Sequence, residues 1–227
     1  MQISYNMLKK AGGFCAVLAV VIVTVIICVC AISCGGTNLN FYAEYYFVCY
    51  RLTDNAISAS SLSGTVASYG GAGYILKLND GYFVTVSCYY NENDAKTVCD
   101  SLKKRDLDCT VLKTETPDYK LKGSAARHKE LFTGNFITLD TLSQMAYECS
   151  NGLDTGAFTQ SKAKDVVTAI KSGLDGLIKA NAGNCFSGGL ERLSAECEDK
   201  MTGYLYSKDM RYLQIAIIDV ILNAELY

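Results

Sequence analysis

The side chains in this chain whose type and spacing could do chemistry are aromatic rings and hydroxyls. More than half of its 16 tyrosines fall between Tyr42 and Tyr90. Within that stretch Tyr46, Val48 and Tyr50 alternate along one apolar run, and Phe83, Thr85, Ser87 and Tyr89 alternate along another. A tyrosine ring packs flat on an apolar surface while its hydroxyl reaches a polar group, and Thr and Ser hydroxyls both donate and accept. That is equipment for binding. Equipment for breaking bonds is sparse: the single histidine, His128, sits in the charged stretch Ala-Arg-His-Lys-Glu, where solvation is its expected state. Cys185 in Asn-Cys-Phe-Ser has no histidine in its own segment to activate it. Acids are scattered without a spacing that selects a pair, and no nucleophile elbow, HExxH or phosphate-loop pattern occurs. The chain is expected to be no enzyme and to need no cofactor or metal.

The elements that must position these rings can be read from periodicity. Glu44 to Arg51 is an aromatic, strand-favouring run, and Thr53-Asp54-Asn55 can cap a weak helix over Ala56 to Tyr69 that ends at Gly70-Gly71. Tyr74 to Leu78 and Tyr82 to Tyr90 flank Asn79-Asp80-Gly81, a strong hairpin signal. Asn93 or Asp94 can cap a second helix in which Ala95, Val98, Cys99 and Leu102 recur at helical spacing, and Cys109 to Leu112 closes as a strand. The order is βαβ followed by βαβ, with an internal repeat. Cys49-Tyr50 precedes Ala56 by the interval that separates Cys88-Tyr89 from Ala95. Two such halves predict a four-stranded antiparallel sheet with both helices on one face, which leaves the other face free for solvent or a ligand.

Tyr82-Phe-Val-Thr-Val-Ser-Cys-Tyr-Tyr-Asn-Glu-Asn-Asp-Ala95, followed by Leu102-Lys-Lys-Arg-Asp-Leu-Asp-Cys-Thr-Val111, resembles the sporulation-related repeat (SPOR) domain. The likeness extends over residues 45–112. It implies a bacterial envelope module that binds peptidoglycan glycan strands stripped of their stem peptides, in cell division, sporulation or envelope maintenance. With Val84 and Val86 turned to the core, period-2 alternation puts Phe83, Thr85, Ser87 and Tyr89 on the open face. The internal repeat puts Tyr46, Val48 and Tyr50 beside them. On the resemblance, Tyr46, Tyr50 and Tyr89 would stack on sugar rings while Thr85 and Ser87 hydrogen-bond to them. The competing reading is a structural protein of an envelope complex that uses the same α/β domain for protein contacts. An RNA-binding sheet would need flanking basic residues; a net charge of −2 and a pI near 5.5 argue against any nucleic-acid partner.

The only proline, Pro117, marks a linker over 116–123 between the sheet domain, 40–115, and a helical domain, 124–227. Four stripes follow: Leu139 to Cys149, Val166 to Ile178, Leu190 to Met201 and Met210 to Ala224, with Ser124 to Phe132 as a less regular extra helix. They predict a small antiparallel bundle, which could engage division or sporulation proteins. Only the last helix, with Ile215 and Ile218 beside its stripe, is apolar enough to keep a second face for a partner.

At the N-terminus, Phe14 to Ile32 is an apolar run that follows Lys9 and Lys10. Roughly 20 apolar residues match the hydrocarbon thickness, and the basic flank predicts a cytoplasmic tail, 1–11, an anchor in the lipid bilayer, 12–34, and the remainder outside the cell. A cleaved signal peptide and lipidation of Cys34 in Ala31-Ile32-Ser33-Cys34-Gly35 are the alternatives. Beyond that segment stand Cys49, Cys88, Cys99, Cys109, Cys149, Cys185 and Cys197. With an odd number of thiols and no CxxC pair, no disulfide connectivity can be chosen from sequence. The expected fold class is therefore α+β: a transmembrane helix, a βαββαβ antiparallel-sheet domain of SPOR or ferredoxin-like kind, then an all-α bundle.

Overall fold

The computed structural model describes residues 39–53, 55–78, 81–121, 128–181 and 187–224. Four strands, β1 (Glu44–Thr53), β2 (Tyr74–Leu78), β3 (Gly81–Tyr89) and β4 (Thr110–Glu115), form one antiparallel sheet in the order β2-β3-β1-β4. The two inner strands, β3 and β1, bury residues on both faces: in β1, Tyr45, Phe47 and Cys49 face one cluster and Tyr46 and Val48 another. Leu78 pairs with Gly81, and Gly81 takes φ 131°, a backbone state that side chains with a Cβ rarely adopt.

Helix α1 (Ala56–Ser68) starts where Asn55 accepts the Ile57 amide at 2.8 Å. Helix α2 (Glu92–Lys103) is capped by Asn91, which accepts the Asn93 amide at 2.8 Å, so it begins ahead of the Asn93 or Asp94 cap suggested by the sequence. Both lie on one side of the sheet. Ala95 and Cys99 of α2 pack on Tyr46 and Val48, while Ala59 and Val66 of α1 pack on Val84.

The other side is covered as well. Helices α3 (Lys129–Asp154), α4 (Gln160–Ala180), α5 (Ser187–Thr202) and α6 (Ser207–Leu222) share one apolar core with Tyr45, Phe47, Cys49, Leu76, Phe83 and Cys88 of the sheet. Helix α6 lies directly on β2 and β3 and packs along α3. Its Ile215, Ile217 and Ile218 are all 0% exposed, so the second apolar face read from the sequence is spent inside the protein. Its middle stretch, 213–218, is buried on every side. The stretch between sheet and bundle is also anchored: Tyr119 and Leu121 are buried, and the Tyr119 hydroxyl donates to the Ile221 carbonyl.

The fold class is α+β, with a four-stranded antiparallel sheet and six helices among the described residues. Among these residues no helix is long and apolar enough to cross a membrane. This corrects the expected fold class, with its transmembrane helix, and the expected single-pass topology with an exported remainder. The segments that carried that expectation, 1–11 and 12–34, lie outside the described residues. Helix α6, whose second apolar face stood out in the sequence, has 16 residues, too few to cross a bilayer core.

Candidate functional site

The residues expected on an open face do not share a face. Along β1 and β3, Tyr46 pairs with Tyr89, Phe47 with Cys88 and Val48 with Ser87, but the next pair is Cys49 with Thr85. Val86 is left without a partner, which is a β-bulge. A bulge shifts alternation by one residue. Phe83 and Thr85 therefore face the bundle, while Ser87 and Tyr89, past the bulge, lie with Val48 and Tyr46 on the α2 side. A second irregularity, between Cys49 and Arg51, accompanies the turn of Tyr50 toward the α1 cluster.

Access is closed for five of the seven, while Tyr50 and Tyr89 are half-buried. Val48 and Thr85 are 0% exposed, Ser87 5%, Phe83 7% and Tyr46 9%. The Thr85 hydroxyl donates to the Tyr74 carbonyl at 3.0 Å, and the Tyr46 hydroxyl donates to Glu44 Oε2 at 2.7 Å. Tyr89 meets the Tyr147 ring of α3 edge-on, with centroids 6.0 Å apart. The open sugar platform anticipated from two-helix coverage is thus filled by α6 and α3. His128 is exposed at the start of α3, and Cys185 lies outside the described residues.

Two polar clusters fasten the bundle to the sheet. In the first, the Tyr74 hydroxyl of β2 donates to Asp219 Oδ2 of α6 at 2.6 Å, and Arg192 Nη2 of α5 donates to the Tyr74 hydroxyl at 3.4 Å. Arg192 Nε also lies 3.8 Å from Glu196 Oε1. In the second, the Tyr45 hydroxyl donates to Asp140 Oδ1 of α3 at 2.9 Å, and Gln144 Nε2 donates to Asp140 Oδ2 at 2.8 Å. Beside it Tyr90 bonds Ser143 at 2.6 Å, and Gln214 Nε2 donates to the Cys88 carbonyl at 3.2 Å. Burial raises the carboxyls of Asp140, Glu196 and Asp219 above the ordinary range; hydrogen bonds hold Asp140 and Asp219 partly back, and the nearby cations Arg192 and Lys200 do the same for Glu196. Among the described residues no group of His, Cys, Asp and Glu is arranged to hold a metal ion.

These raised carboxyls give a signed pH dependence. Between the ordinary carboxylate pKa and the raised folded values, the folded chain keeps protons that the unfolded chain has released, so stability falls as pH rises through that window. Glu44 does not mask this, because Tyr42, Tyr46 and Lys113 hold it down to about 2 and its effect lies at lower pH. The urea midpoint is expected to be higher at pH 5 than at pH 7. Asp219→Asn keeps an acceptor for Tyr74 and should flatten that slope. A wild-type midpoint that climbs from pH 5 to pH 7 would contradict the assignment.

What the fold leaves outward is uneven in charge. Helix α2 exposes Glu92, Asp94, Lys96, Asp100 and Lys103, and the edge strand β4 is guarded by Lys113, which pairs with Glu44 at 3.0 Å and Glu115 at 2.7 Å. Charges on an edge discourage strand addition. Helix α1 has none: its outward positions include Ala56, Ser60, Gly64 and Ser68, with Ile57 82% and Tyr69 68% exposed at its two ends. The signal was present in the sequence as a run from Asn55 to Leu76 without a charged residue. No family model matches this chain, and no curated protein and no solved structure is similar enough to count as a relative.

Proposed function

We propose that this chain is a non-catalytic assembly protein whose α/β layer makes protein contacts, with the outward surface of α1 meeting the same surface of a second copy. The observation that carries this is the uncharged face of α1 with Ile57 and Tyr69 standing in solvent. A surface without charge can meet its own copy across a two-fold axis without like-charge repulsion. Small side chains let two such helices approach closely, and a Cβ placed on Gly64 would meet nothing within 4 Å. A contact built on one 13-residue helix is smaller than a standard interface, so affinity in the micromolar range is expected.

Sedimentation velocity of the full chain should show a monomer passing to dimer as concentration rises, and Ile57→Asp should hold it monomeric without moving its melting temperature. A chain that stays monomeric at every concentration would end this reading. Denuded peptidoglycan glycan is the competing ligand, and one observation favours it. Tyr204 and Tyr206 are 65% and 55% exposed with ring centroids 4.9 Å apart, which gives aromatic surface for a sugar. Monomeric behaviour together with co-sedimentation on sacculi freed of stem peptides would favour the glycan.

A further inference from the structure

We infer that Cys99 and Cys109 are a disulfide-forming pair that latches the C-terminal end of α2 to the start of β4. Their sulfur atoms lie 2.9 Å apart, and each thiol is turned toward the other residue's backbone: Cys99 Sγ is 3.3 Å from the Cys109 carbonyl oxygen, and Cys109 Sγ is 3.2 Å from that of Cys99. Two side chains from different elements thus point at one another across the connection that joins them. Bond formation needs the sulfurs to close to about 2.05 Å. The other cysteines of the described residues, Cys49, Cys88, Cys149 and Cys197, are buried and free, and none of them makes a sulfur-to-sulfur contact there. A metal site is not the alternative, since no third ligand joins the pair among the described residues.

The closed pair would be a short staple. It would tie the segment 103–108, whose residues are mostly exposed and which turns through Asp106 at φ 59°, between α2 and β4. Both thiols are buried, 2% and 3% exposed, and burial pushes the Cys109 thiol up. Exchange therefore starts from openings of this connection, or during folding, rather than from the closed native state. The oxidant is a disulfide. One protein thiolate attacks a sulfur of the oxidant, breaking its S–S bond, forming a mixed disulfide and releasing half of the oxidant as a thiolate. The second protein thiolate attacks the protein sulfur of that mixed disulfide, forming the Cys99–Cys109 bond and releasing the other half. In sum two protein thiols lose two protons and two electrons, and the oxidant leaves as two thiols. None of this depends on how α1 is used.

The test is to equilibrate the full chain with oxidised glutathione, denature it, alkylate the free thiols and digest with trypsin. Cleavage after Lys96, Lys103, Arg105 and Lys113 puts Cys99 and Cys109 on separate peptides, so the bond would appear as Thr97–Lys103 joined to Asp106–Lys113 and would disappear on reduction. The oxidised chain should also melt about 5–10 °C above the reduced one, from closure of a short loop, and Cys99→Ser should lose both the joined species and the gain. Recovery of both peptides singly alkylated, carrying glutathione, or joined to other cysteines would overturn the inference. That readout is made on the wild-type chain and does not require the variant to fold.

Discussion

Thr85→Lys is expected to remove about 3–5 kcal/mol of stability and to lower the melting temperature by about 6–20 °C. Thr85 is 0% exposed, sits in β3 on the side covered by the bundle, and spends its hydroxyl on the Tyr74 carbonyl. A lysine there loses that hydrogen bond and places an ammonium between β3 and α6. An uncompensated buried charge costs about 3–5 kcal/mol, against a total stability of about 5–15 kcal/mol. Thermal and urea unfolding followed by circular dichroism would read it. On an exposed sheet face the same substitution would change stability by less than about 0.5 kcal/mol, as is expected for the control Thr110→Lys at an exposed position of the edge strand. A folded Thr85→Lys protein with wild-type stability would mean that the bundle does not close this face.

That prediction turns on what local sequence could and could not reveal. Strand and helix positions between Glu44 and Glu115 were legible because each rests on neighbours in the chain: alternation in β3, the hairpin at Gly81, and helical spacing from Ala95 to Leu102. The bundle stripes were legible for the same reason, and Leu139, Ile170, Leu193 and Leu213 are all buried. The internal repeat holds for the strands, where Cys49 and Cys88 both face the bundle, but not for the helix starts: α1 opens on Ala56, whereas α2 opens on Glu92, three residues ahead of Ala95. The error entered at Val86. Strict alternation from Val84 carries Ser87 and Tyr89 to one side, whereas the bulge carries them to the other, and nothing in Val-Thr-Val-Ser marks the extra residue. Carrying the phase of Tyr89 back through the repeat then misplaced Tyr46, Val48 and Tyr50 as well. Coverage of the second face was not legible, because it depends on contacts more than 100 residues apart, such as Tyr74 with Asp219 and Gln214 with Cys88. An aromatic strand face reads the same whether it awaits a sugar or a helix.

Phe136→Ala is expected to cost about 3–5 kcal/mol, the range for truncating a buried aromatic, and to lower the melting temperature by about 6–20 °C. Phe136 of α3 is 0% exposed and stacks on both Phe41, at 5.4 Å between centroids, and Tyr119, at 4.5 Å. Phe41 leads into β1 and Tyr119 follows β4, while the Leu39 amide donates to the Tyr119 carbonyl at 3.1 Å. One ring therefore holds both the chain's entry into the sheet and its passage from sheet to bundle. If the core is continuous across them, helix content and tyrosine environment must be lost together. Circular dichroism at helix wavelengths and tyrosine fluorescence should give coincident urea transitions in the wild type, and the substitution should move both by the same amount. Two transitions, with only the helical signal moved by Phe136→Ala, would instead describe a sheet that stands without its bundle. Its second face would then be available to a ligand after all.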